Sequence, residues 1–383
     1  MPRLPGLTTT DAQLVGLTIV LKLALLALGV AAPALLGGDA PRNVLEPWDR
    51  WDAPHYTDIA VFGYHAVDDG TLVGPDGYRS IYPGDLDLYI VFYPLFPWLV
   101  AAVMTVLGDP VLAAFVVSGV ASLFIGPLLW RLVAADEGET VGRRAAVFAL
   151  LFPTAYFLHI GYTESLFLAL ALGSFLAART DRWWLAGLLG AFATLARVNG
   201  LVLIPALAVE AVVQWWPERR WRWRWLWVAL VPVGFAVYLA LNWAVYGDAF
   251  AFVRIQTDHW FKSLSPPWVG IGGVIDWALT RPDPEDAFML GWVELAFIAL
   301  ALAGTAVCAI RFRPSWTVWM AGNWLLITST GFVLSVPRYA LVLFPLFAWF
   351  AVLPDRWRWV VGALSVAGLV YFAGRFAMGQ WAF

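Results

Sequence analysis

Charged residues and cysteines are both scarce in this sequence, and their scarcity excludes several classes of protein. Charged residues make up 13% of the 383 residues and the net charge is −3, whereas a soluble domain carries about 25% charged residues. A nucleic-acid partner is therefore not expected. The single cysteine, Cys308, lies in an apolar run, which excludes a disulfide framework and a cysteine-based metal site.

Motifs for nucleotide chemistry are missing as well. The sequence contains no glycine-rich phosphate loop, no nucleophile elbow and no zinc signature. ATP or a nucleotide sugar is therefore not an expected substrate. If the protein is a transferase, its donor should be lipid-linked and should reach the site through a bilayer.

Hydrophobic residues dominate the chain. They account for 61% of it, and the mean hydropathy is +0.73. This composition predicts an all-α polytopic membrane protein with a single domain, residues 1–383. Apolar runs predict helices at 12–36, 93–107, 111–133, 144–158, 165–178, 183–197, 200–216, 225–246, 288–310, 315–334, 338–353 and 357–376.

Basic residues in short loops predict the orientation. The cluster Arg219, Arg220, Arg222 and Arg224 should face the cytoplasm. Counting crossings from this cluster gives a cytoplasmic N-terminus only if 93–107 does not cross. That run is short and contains prolines, so it is interpreted as a re-entrant or juxtamembrane helix. About 11 crossings remain.

The long loops 37–92 and 247–287 then lie on the extracytoplasmic side, together with the turns that carry unusual polar residues. The first apolar run is interpreted as a retained helix rather than a signal peptide. We therefore expect a functional face outside the cytoplasm. It would face outward from the cell membrane in a prokaryote, or into the lumen of the endoplasmic reticulum in a eukaryote.

Two carboxylates lie beside tryptophans near the start of the first long loop: Asp49 follows Trp48, and Asp52 follows Trp51. Carboxylates are costly close to hydrocarbon. Either could act as a general base that takes a proton from an acceptor hydroxyl. Alternatively, both could cap a short helix that begins near Pro54.

A third carboxylate, Glu164, follows Tyr162 at an outer helix start. It could cap that helix, share a site with Asp52, or help to hold a divalent cation through oxygen ligands. No ligand-spacing motif supports a metal, so a cation is an open alternative and no metal ligand is assigned.

Arg197 and Arg338 lie at predicted outer helix ends, against the usual bias of arginine toward the cytoplasm. A guanidinium binds phosphate oxygens bidentately, which favours a role in holding a phosphate. The alternative is an interfacial arginine that reaches lipid headgroups.

Residues 250–260 have the pattern of an amphipathic helix lying in the membrane interface. Within it, Gln256 or His259 could contact substrate. His55 and His159 flank the same outer face, and a structural role is the alternative for both.

Several of these residues together resemble the signature of the PIG-V family, the group of GPI mannosyltransferase 2 and its bacterial homologues. The resemblance spans nearly the whole chain. Its blocks appear in order as Trp51-Asp52 with Tyr56, Ile59-Ala60 and Gly63-Tyr64; Phe92–Pro97; Gly161–Phe167; Arg197–Gly200; Gln256 with Trp260; and Pro337–Tyr339.

The resemblance implies a GT-C fold with juxtamembrane helices in the first outer loop. It also implies a polyprenyl- or dolichyl-phosphate mannose donor, a glycan or glycolipid acceptor, and inversion at the anomeric carbon. Asp52 would be the base, although Asp49 is a second acid nearby. Glu164 would assist the base, with substrate contacts from His55, Tyr56, Tyr162, Arg197, Asn199, Gln256, Trp260, Arg338 and Tyr339.

Two alternatives from other functional classes remain at this point. One is a transporter or flippase for lipid-linked sugars, and the other is a membrane scaffold without chemistry. A transporter would show polar residues along a path near the membrane midplane, whereas here they concentrate on one face. An enzyme requires Asp52, Glu164 and an outer arginine to meet in one place. The sequence does not indicate an oligomeric state.

Overall fold

The computed structural model describes residues 6–65, 70–74 and 77–383. Residues 1–5, 66–69 and 75–76, which belong to the predicted N-terminal segment and first long loop, lie outside the described residues. Within the described ranges the chain is helical, with an isolated antiparallel bridge between Leu264 and Thr330 and no strand.

The α-helices between residues 9 and 246 contain most of the long apolar runs. They are α1 (Thr9–Leu36), α2 (Ala53–Phe62), α3 (Leu95–Leu107), α4 (Pro110–Glu137), α5 (Glu139–Leu150), α6 (Glu164–Arg179), α7 (Trp183–Ala196), α8 (Leu203–Glu218) and α9 (Val231–Tyr246).

The α-helices between residues 251 and 377 include several short ones. They are α10 (Ala251–Asp258), α11 (Pro267–Thr280), α12 (Pro284–Asp286), α13 (Val293–Arg311), α14 (Pro314–Thr328), α15 (Val336–Tyr339), α16 (Pro345–Val352) and α17 (Asp355–Ala377). A π-helical segment, Ala287–Trp292, joins α12 to α13. Short 3-10 helices cover Glu46–Trp48, Leu86–Val91, Ala155–Leu158, Val198–Val202, Trp223–Leu230 and Ala340–Val342.

In the described part of the chain, 6 continuous helical stretches are long and apolar enough to cross a membrane. They are Thr9–Leu36, Pro110–Glu137, Val198–Pro217, Trp223–Tyr246, Pro284–Arg311 and Asp355–Ala377. Each coincides with a predicted crossing. The other predicted crossings fall on shorter helices, so the count of about 11 stays a prediction. Helix α3 has 13 residues, or about 20 Å of rise, which suits a helix that does not cross.

Prolines explain where the helices differ from the predicted runs. The run 144–158 is α-helical only to Leu150, because Pro153 cannot continue the hydrogen-bond ladder, and Ala155–Leu158 forms a 3-10 helix. The run 338–353 is divided into α15, a 3-10 turn and α16, which begins at Pro345. The run 315–334 ends at Thr328, where α14 meets an irregular loop.

Close packing around α7 holds the centre of the bundle together. A Cβ added at Gly187 would lie 2.1 Å from the Trp227 carbonyl oxygen, and one at Gly234 would lie 1.8 Å from the Ala191 carbonyl oxygen. Only glycine permits such approach of helix backbones, as is common in membrane bundles. These contacts hold α7 tightly against α9 and against the 3-10 helix that precedes α9.

Candidate active site

Arg338 lies at the centre of a buried group of charges. It follows Pro337 in α15, and the residue is only 5% exposed. Its Nε donates to Glu164 Oε1 at 2.5 Å, and its Nη1 donates to Asp52 Oδ2 at 2.6 Å. One guanidinium therefore joins the first long loop, 37–92, to the start of α6.

Arg197 completes this group from the end of α7. Its Nη1 donates to Glu164 Oε1 at 2.5 Å and to Thr163 Oγ1 at 2.8 Å. Glu164, which was also predicted as a capping residue, instead accepts from two arginines. We call Asp52, Glu164, Arg197 and Arg338 the site cluster. Its two negative and two positive charges come from four separate parts of the chain.

Asp52 is positioned by backbone contacts rather than by capping. Its side chain makes no cap hydrogen bond to α2, so the capping alternative does not describe it. Its backbone N–H donates to Tyr162 Oη at 3.1 Å, and that hydroxyl donates to the Arg50 carbonyl oxygen at 2.8 Å. Tyr162 therefore holds the first long loop against the start of α6.

The carboxylates of the site cluster keep unused acceptor capacity. Burial opposes ionisation of Asp52, but the charge and hydrogen bond of Arg338, together with the charges of His55 and Lys262, hold the pKa of Asp52 below its usual value. The Asp52 side chain is 29% exposed, and Glu164 Oε2 is buried without a hydrogen-bond partner. An ionised, partly accessible carboxylate can accept a proton from a substrate hydroxyl.

Asp49 faces a different environment. Burial raises its pKa to about 7, and the negative charges of Asp58 and Asp109 act in the same direction. Among the described residues, no hydrogen bond or ion pair joins the Asp49 carboxylate to the site cluster. The geometry therefore favours Asp52 over Asp49 for the role of base.

An aromatic group connects the first long loop, 37–92, to the segment that follows α10. The His55 ring lies 5.6 Å from that of Trp260 and 4.4 Å from that of Tyr89, measured between centroids. Burial lowers the pKa of His55, although the charge of Asp52 opposes this. The Tyr56 ring lies 6.3 Å from that of Tyr162. Three predicted binding residues, His55, Tyr56 and Trp260, thus border the site cluster.

Tyr339 also belongs to this region, whereas the Asn199 amide is bonded elsewhere and Gln256 has no side-chain partner among the described residues. The guanidinium of Arg197 lies 5.3 Å from the centre of the Tyr339 ring. The Asn199 amide donates to Asn323 Oδ1 at 2.7 Å, and within the described ranges no contact joins it to the site cluster. Gln256 Oε1 is buried without a hydrogen-bond partner.

Lys262 is a residue that sequence reasoning did not select. Its Nζ lies 3.5 Å from Tyr339 Oη, and its positive charge lowers the pKa of Asp52. No carboxylate of the described chain forms an ion pair with it. A signal existed, since Lys262 and Lys22 are the lysines of a chain whose other strongly basic residues are arginines.

Glu294 is the second such residue, and it holds the backbone that carries Arg338. Its oxygens accept from the N–H groups of Ser335 and Val336, both at 2.7 Å. Thr154 Oγ1 donates to the Pro337 carbonyl oxygen at 2.8 Å. A lone carboxylate inside an apolar run, as Glu294 is, was the available signal.

No group of three metal-ligating side chains is found in the part of the chain that the structure describes. The expected alternative of a divalent cation therefore gains no ligand set from this geometry.

Comparisons with known proteins agree with this architecture. The family model described as Mannosyltransferase (PIG-V) matches residues 23–222, which is slightly more than half of the chain. GPI alpha-1,6-mannosyltransferase 2 of Rattus norvegicus is 26% identical over 329 residues, covering 77% of this chain and 61% of the relative.

A solved structure shows the fold. The chain is similar to ArnT from Cupriavidus metallidurans, crystallised with undecaprenyl phosphate, with a TM-score of 0.50 and 16% identity over 92% of this chain and 63% of that one. The prediction of a GT-C-type helical membrane fold is confirmed. The chain spans less than two thirds of the length of each of these relatives. By its matching family model, the chain belongs to the PIG-V mannosyltransferase family.

Proposed function

We propose that this protein is a membrane glycosyltransferase that moves mannose from a polyprenyl- or dolichyl-phosphate donor to a glycan or glycolipid acceptor. The observation that carries the proposal is the convergence of Asp52, Glu164 and two arginines at one place. Membership of the PIG-V family supports the choice of mannose. ArnT, which shares the fold, is described as bound to undecaprenyl phosphate, and this supports a lipid-phosphate donor.

The proposed reaction is a single displacement with inversion. The acceptor hydroxyl oxygen bonds to the anomeric carbon while the bond from that carbon to the phosphate oxygen breaks. Asp52 takes the hydroxyl proton. The electron pair of the broken bond leaves with the polyprenyl phosphate, and preorganised cations stabilise the charge that develops there.

Lys262 and Arg338 are the cations proposed for the leaving phosphate. Arg338 Nε and Nη1 are engaged by Glu164 and Asp52, which fixes the orientation of its remaining donors. Lys262 has no carboxylate partner in the described ranges, so its ammonium group can bind a phosphate. Arg197 would act mainly by holding Glu164 in place.

The site is proposed to face the extracytoplasmic side, with the N-terminus in the cytoplasm. This orientation can be tested in a Cys308→Ser background, because the chain contains no other cysteine. Asp276→Cys in the second long loop should react with an impermeant maleimide in intact cells. Arg356→Cys, at a predicted cytoplasmic turn, should react only after permeabilisation, and the reverse pattern would overturn the orientation.

The activity is tested by giving the purified protein polyprenyl-phosphate mannose and a panel of acceptors, with and without EDTA, and identifying products by mass spectrometry. Asp52→Asn should lower the transfer rate by about 10²–10⁴-fold, the usual contribution of a general base. Asp276→Asn, an exposed carboxylate outside the site, is the matched control. Full activity of Asp52→Asn would refute the assignment of the base.

The transporter and scaffold alternatives gain no specific support. A scaffold does not require a buried carboxylate oxygen such as Glu164 Oε2 to stay without a hydrogen-bond partner. Formation of a mannosylated product by the purified protein would separate the enzyme from both alternatives, since neither would form or break a glycosidic bond.

A further inference from the structure

Tyr339 follows Arg338 in the chain, and the proposed mechanism gives its hydroxyl no task. Both residues belong to α15, whose backbone Glu294 holds through the N–H groups of Ser335 and Val336. The Tyr339 ring is partly buried and packs against a small cluster of buried apolar residues. Its side chain is therefore held beside the site cluster by the same backbone that positions Arg338.

Three cationic side chains lie around Tyr339. The guanidinium carbons of Arg197 and Arg338 lie 5.3 and 5.7 Å from the centre of its ring. Lys262 Nζ lies 5.6 Å from that centre and 3.5 Å from the hydroxyl oxygen. Because Nζ is nearer to the hydroxyl than to the ring centre, Lys262 lies at the hydroxyl end of the side chain.

The Tyr339 hydroxyl has an unused hydrogen-bond donor. An ammonium group can only donate, so Lys262 donates and the Tyr339 oxygen accepts. The hydroxyl also carries a hydrogen of its own, and in the part of the chain that the structure describes no acceptor takes it. Lys262 likewise has no carboxylate partner in the described ranges. Two groups that can still donate therefore lie 3.5 Å apart, close enough for both to bind one phosphate group.

These unused donors indicate which part of the substrate lies next to Tyr339. A phosphate oxygen is negatively charged and accepts hydrogen bonds, so it suits two neighbouring donors with positive charge around them. A sugar hydroxyl also has a hydrogen to donate, and the unused acceptors of the site are on Asp52 and Glu164 instead. This division favours the leaving phosphate at Tyr339 and Lys262, and the acceptor hydroxyl at Asp52.

Only the neutral form of Tyr339 can donate its hydrogen. Burial opposes ionisation of the phenol, and so does the negative charge of Asp52. The charges of Lys262, Arg338 and Arg197 outweigh both and hold the pKa of Tyr339 below its usual value. A bound phosphate would add negative charge and accept the hydroxyl hydrogen. Both effects favour the neutral phenol, so phosphate binding should raise the pKa of Tyr339.

We infer that Tyr339 is a further catalytic residue, whose hydroxyl donates a hydrogen bond to the phosphate oxygen that leaves the sugar. The inference rests on the proposed function, because it assigns a donor to the leaving group of the same reaction. As the bond from the anomeric carbon to that oxygen breaks, its electron pair moves onto the oxygen and the hydrogen bond from Tyr339 strengthens. The phenol keeps its proton throughout, so Tyr339 acts as a donor and not as a general acid.

The first test is calorimetric titration of the full-length protein in nanodiscs with farnesyl phosphate, an isoprenoid monophosphate without a sugar. Farnesol is the comparison without a phosphate. Tyr339→Phe removes only the hydroxyl oxygen and keeps the ring packing, so the variant should fold. It should bind farnesyl phosphate about tenfold more weakly, the usual effect of losing one hydrogen bond to a charged group, and bind farnesol like the wild type. Tyr371→Phe, at an exposed position of α17, is the matched control.

A second measurement separates a phosphate contact from a structural role. Ultraviolet absorbance follows tyrosine ionisation, and the difference between the wild type and Tyr339→Phe isolates this one phenol. Farnesyl phosphate should move its ionisation to higher pH, whereas farnesol should leave it unchanged. In transfer assays, Tyr339→Phe should lower kcat by about 10²-fold, the lower end of the effect of removing one preorganised donor.

The outcomes separate this inference from the proposed function. Farnesyl phosphate binding that Tyr339→Phe leaves unchanged, an ionisation that the ligand does not move, or a wild-type kcat in Tyr339→Phe would each overturn the assignment. Transfer of mannose by the wild type would leave the proposed function standing in all three cases. If farnesyl phosphate binding depends on Tyr339 but no mannosylated product forms, the proposed function fails and the phosphate contact stands.

Discussion

Helix α6 connects two ion networks that contain the same kinds of groups. The site cluster lies at its first residue, Glu164. At its last residue, Arg179, lies a second network of two acids and two arginines, which we call the opposite-end network: Asp136, Arg179, Glu210 and Arg313. The helix has 16 residues, so its two ends lie about 22 Å apart.

The opposite-end network has fully bonded carboxylates. Both Asp136 oxygens accept from Arg179, at 2.5 and 2.8 Å. Glu210 Oε1 accepts from Arg313 at 2.7 Å, and its Oε2 accepts from Ser315 at 2.8 Å. Such a network links helices and has no acceptor left for a ligand.

The site cluster differs in the acceptors that it leaves unused. Glu164 Oε2 has no partner, and Asp52 is bonded to Arg338 through Oδ2 alone. Buried polar groups normally find partners, so unpaired ones require an explanation. A bound substrate would supply those partners. The two networks therefore contain the same kinds of residues, but they differ in how many carboxylate oxygens lack a hydrogen-bond partner.

The largest expected contrast comes from removing one arginine at each end. Arg338→Gln should lower the transfer rate by about 10²–10³-fold, as expected when one charge-stabilising donor is lost. Arg313→Gln should instead reduce stability by about 3 kcal/mol, because the buried negative charge of Glu210 then loses its ion pair with Arg313. The rate per folded molecule should stay within about twofold.

Transfer assays and thermal unfolding of the same preparations measure both effects. If Arg313→Gln lowers the rate of folded protein as strongly as Arg338→Gln, the distinction between the two networks is wrong.

A smaller effect is expected from the carboxylate that positions Arg338. Glu294→Ala removes both acceptors for the backbone N–H groups of Ser335 and Val336, and should lower kcat by about tenfold or more through displaced geometry. Glu294→Gln keeps one acceptor oxygen and should restore part of this loss. A purely structural role would change the Tm of both variants and leave kcat of the folded protein unchanged.

The pH dependence of transfer should also change when Arg338 is removed. In the wild type, the charge of Arg338 keeps the pKa of Asp52 low, so the base remains ionised well into the acidic range. In Arg338→Gln, less positive charge is present to stabilise the ionised form of Asp52. The effect of burial then becomes stronger and the pKa of Asp52 rises. The residual activity should therefore fall at a higher pH than in the wild type, as measured by a pH–rate profile of kcat. An unchanged acidic limb would argue against Asp52 as the titrating base.

The smallest expected effect concerns Asp49. Burial raises its pKa to about 7 in the folded protein, above its usual value of about 3.9. The folded state then holds the proton more tightly, so stability falls as the pH rises from about 4 to 7. Asp49→Asn should remove this loss, and its advantage in Tm over the wild type should increase between pH 5 and pH 8. A difference in Tm that does not vary with pH would contradict this assignment.

Much of the site could be predicted from residue types alone. Carboxylates and arginines at the ends of apolar runs are costly unless they have a task. Asp52, Glu164, Arg197 and Arg338 were selected on that basis, and the structure brings these four together. Asn199 was selected by its place in a motif, and its amide instead bonds to Asn323.

Other features required the three-dimensional arrangement. Glu294 and Lys262 lie far in sequence from Asp52, and nothing in their local sequence indicates which loop they face. The distinction between Asp49 and Asp52 also depends on side-chain direction, because three residues of separation suit one shared face as well as two different ones.

The sequence by itself determined that the protein is a helical membrane protein, because hydropathy and chain length decide which segments cross a bilayer. Its motif blocks, in their order along the chain, carried the resemblance to the PIG-V family. It also determined which charged residues needed partners. Only the tertiary structure decided which partners they have and which acceptors stay unused. Two charged residues pair only if helix packing brings them together, and they can be hundreds of residues apart in the chain. The charge of a single residue does not indicate which distant residue will lie next to it.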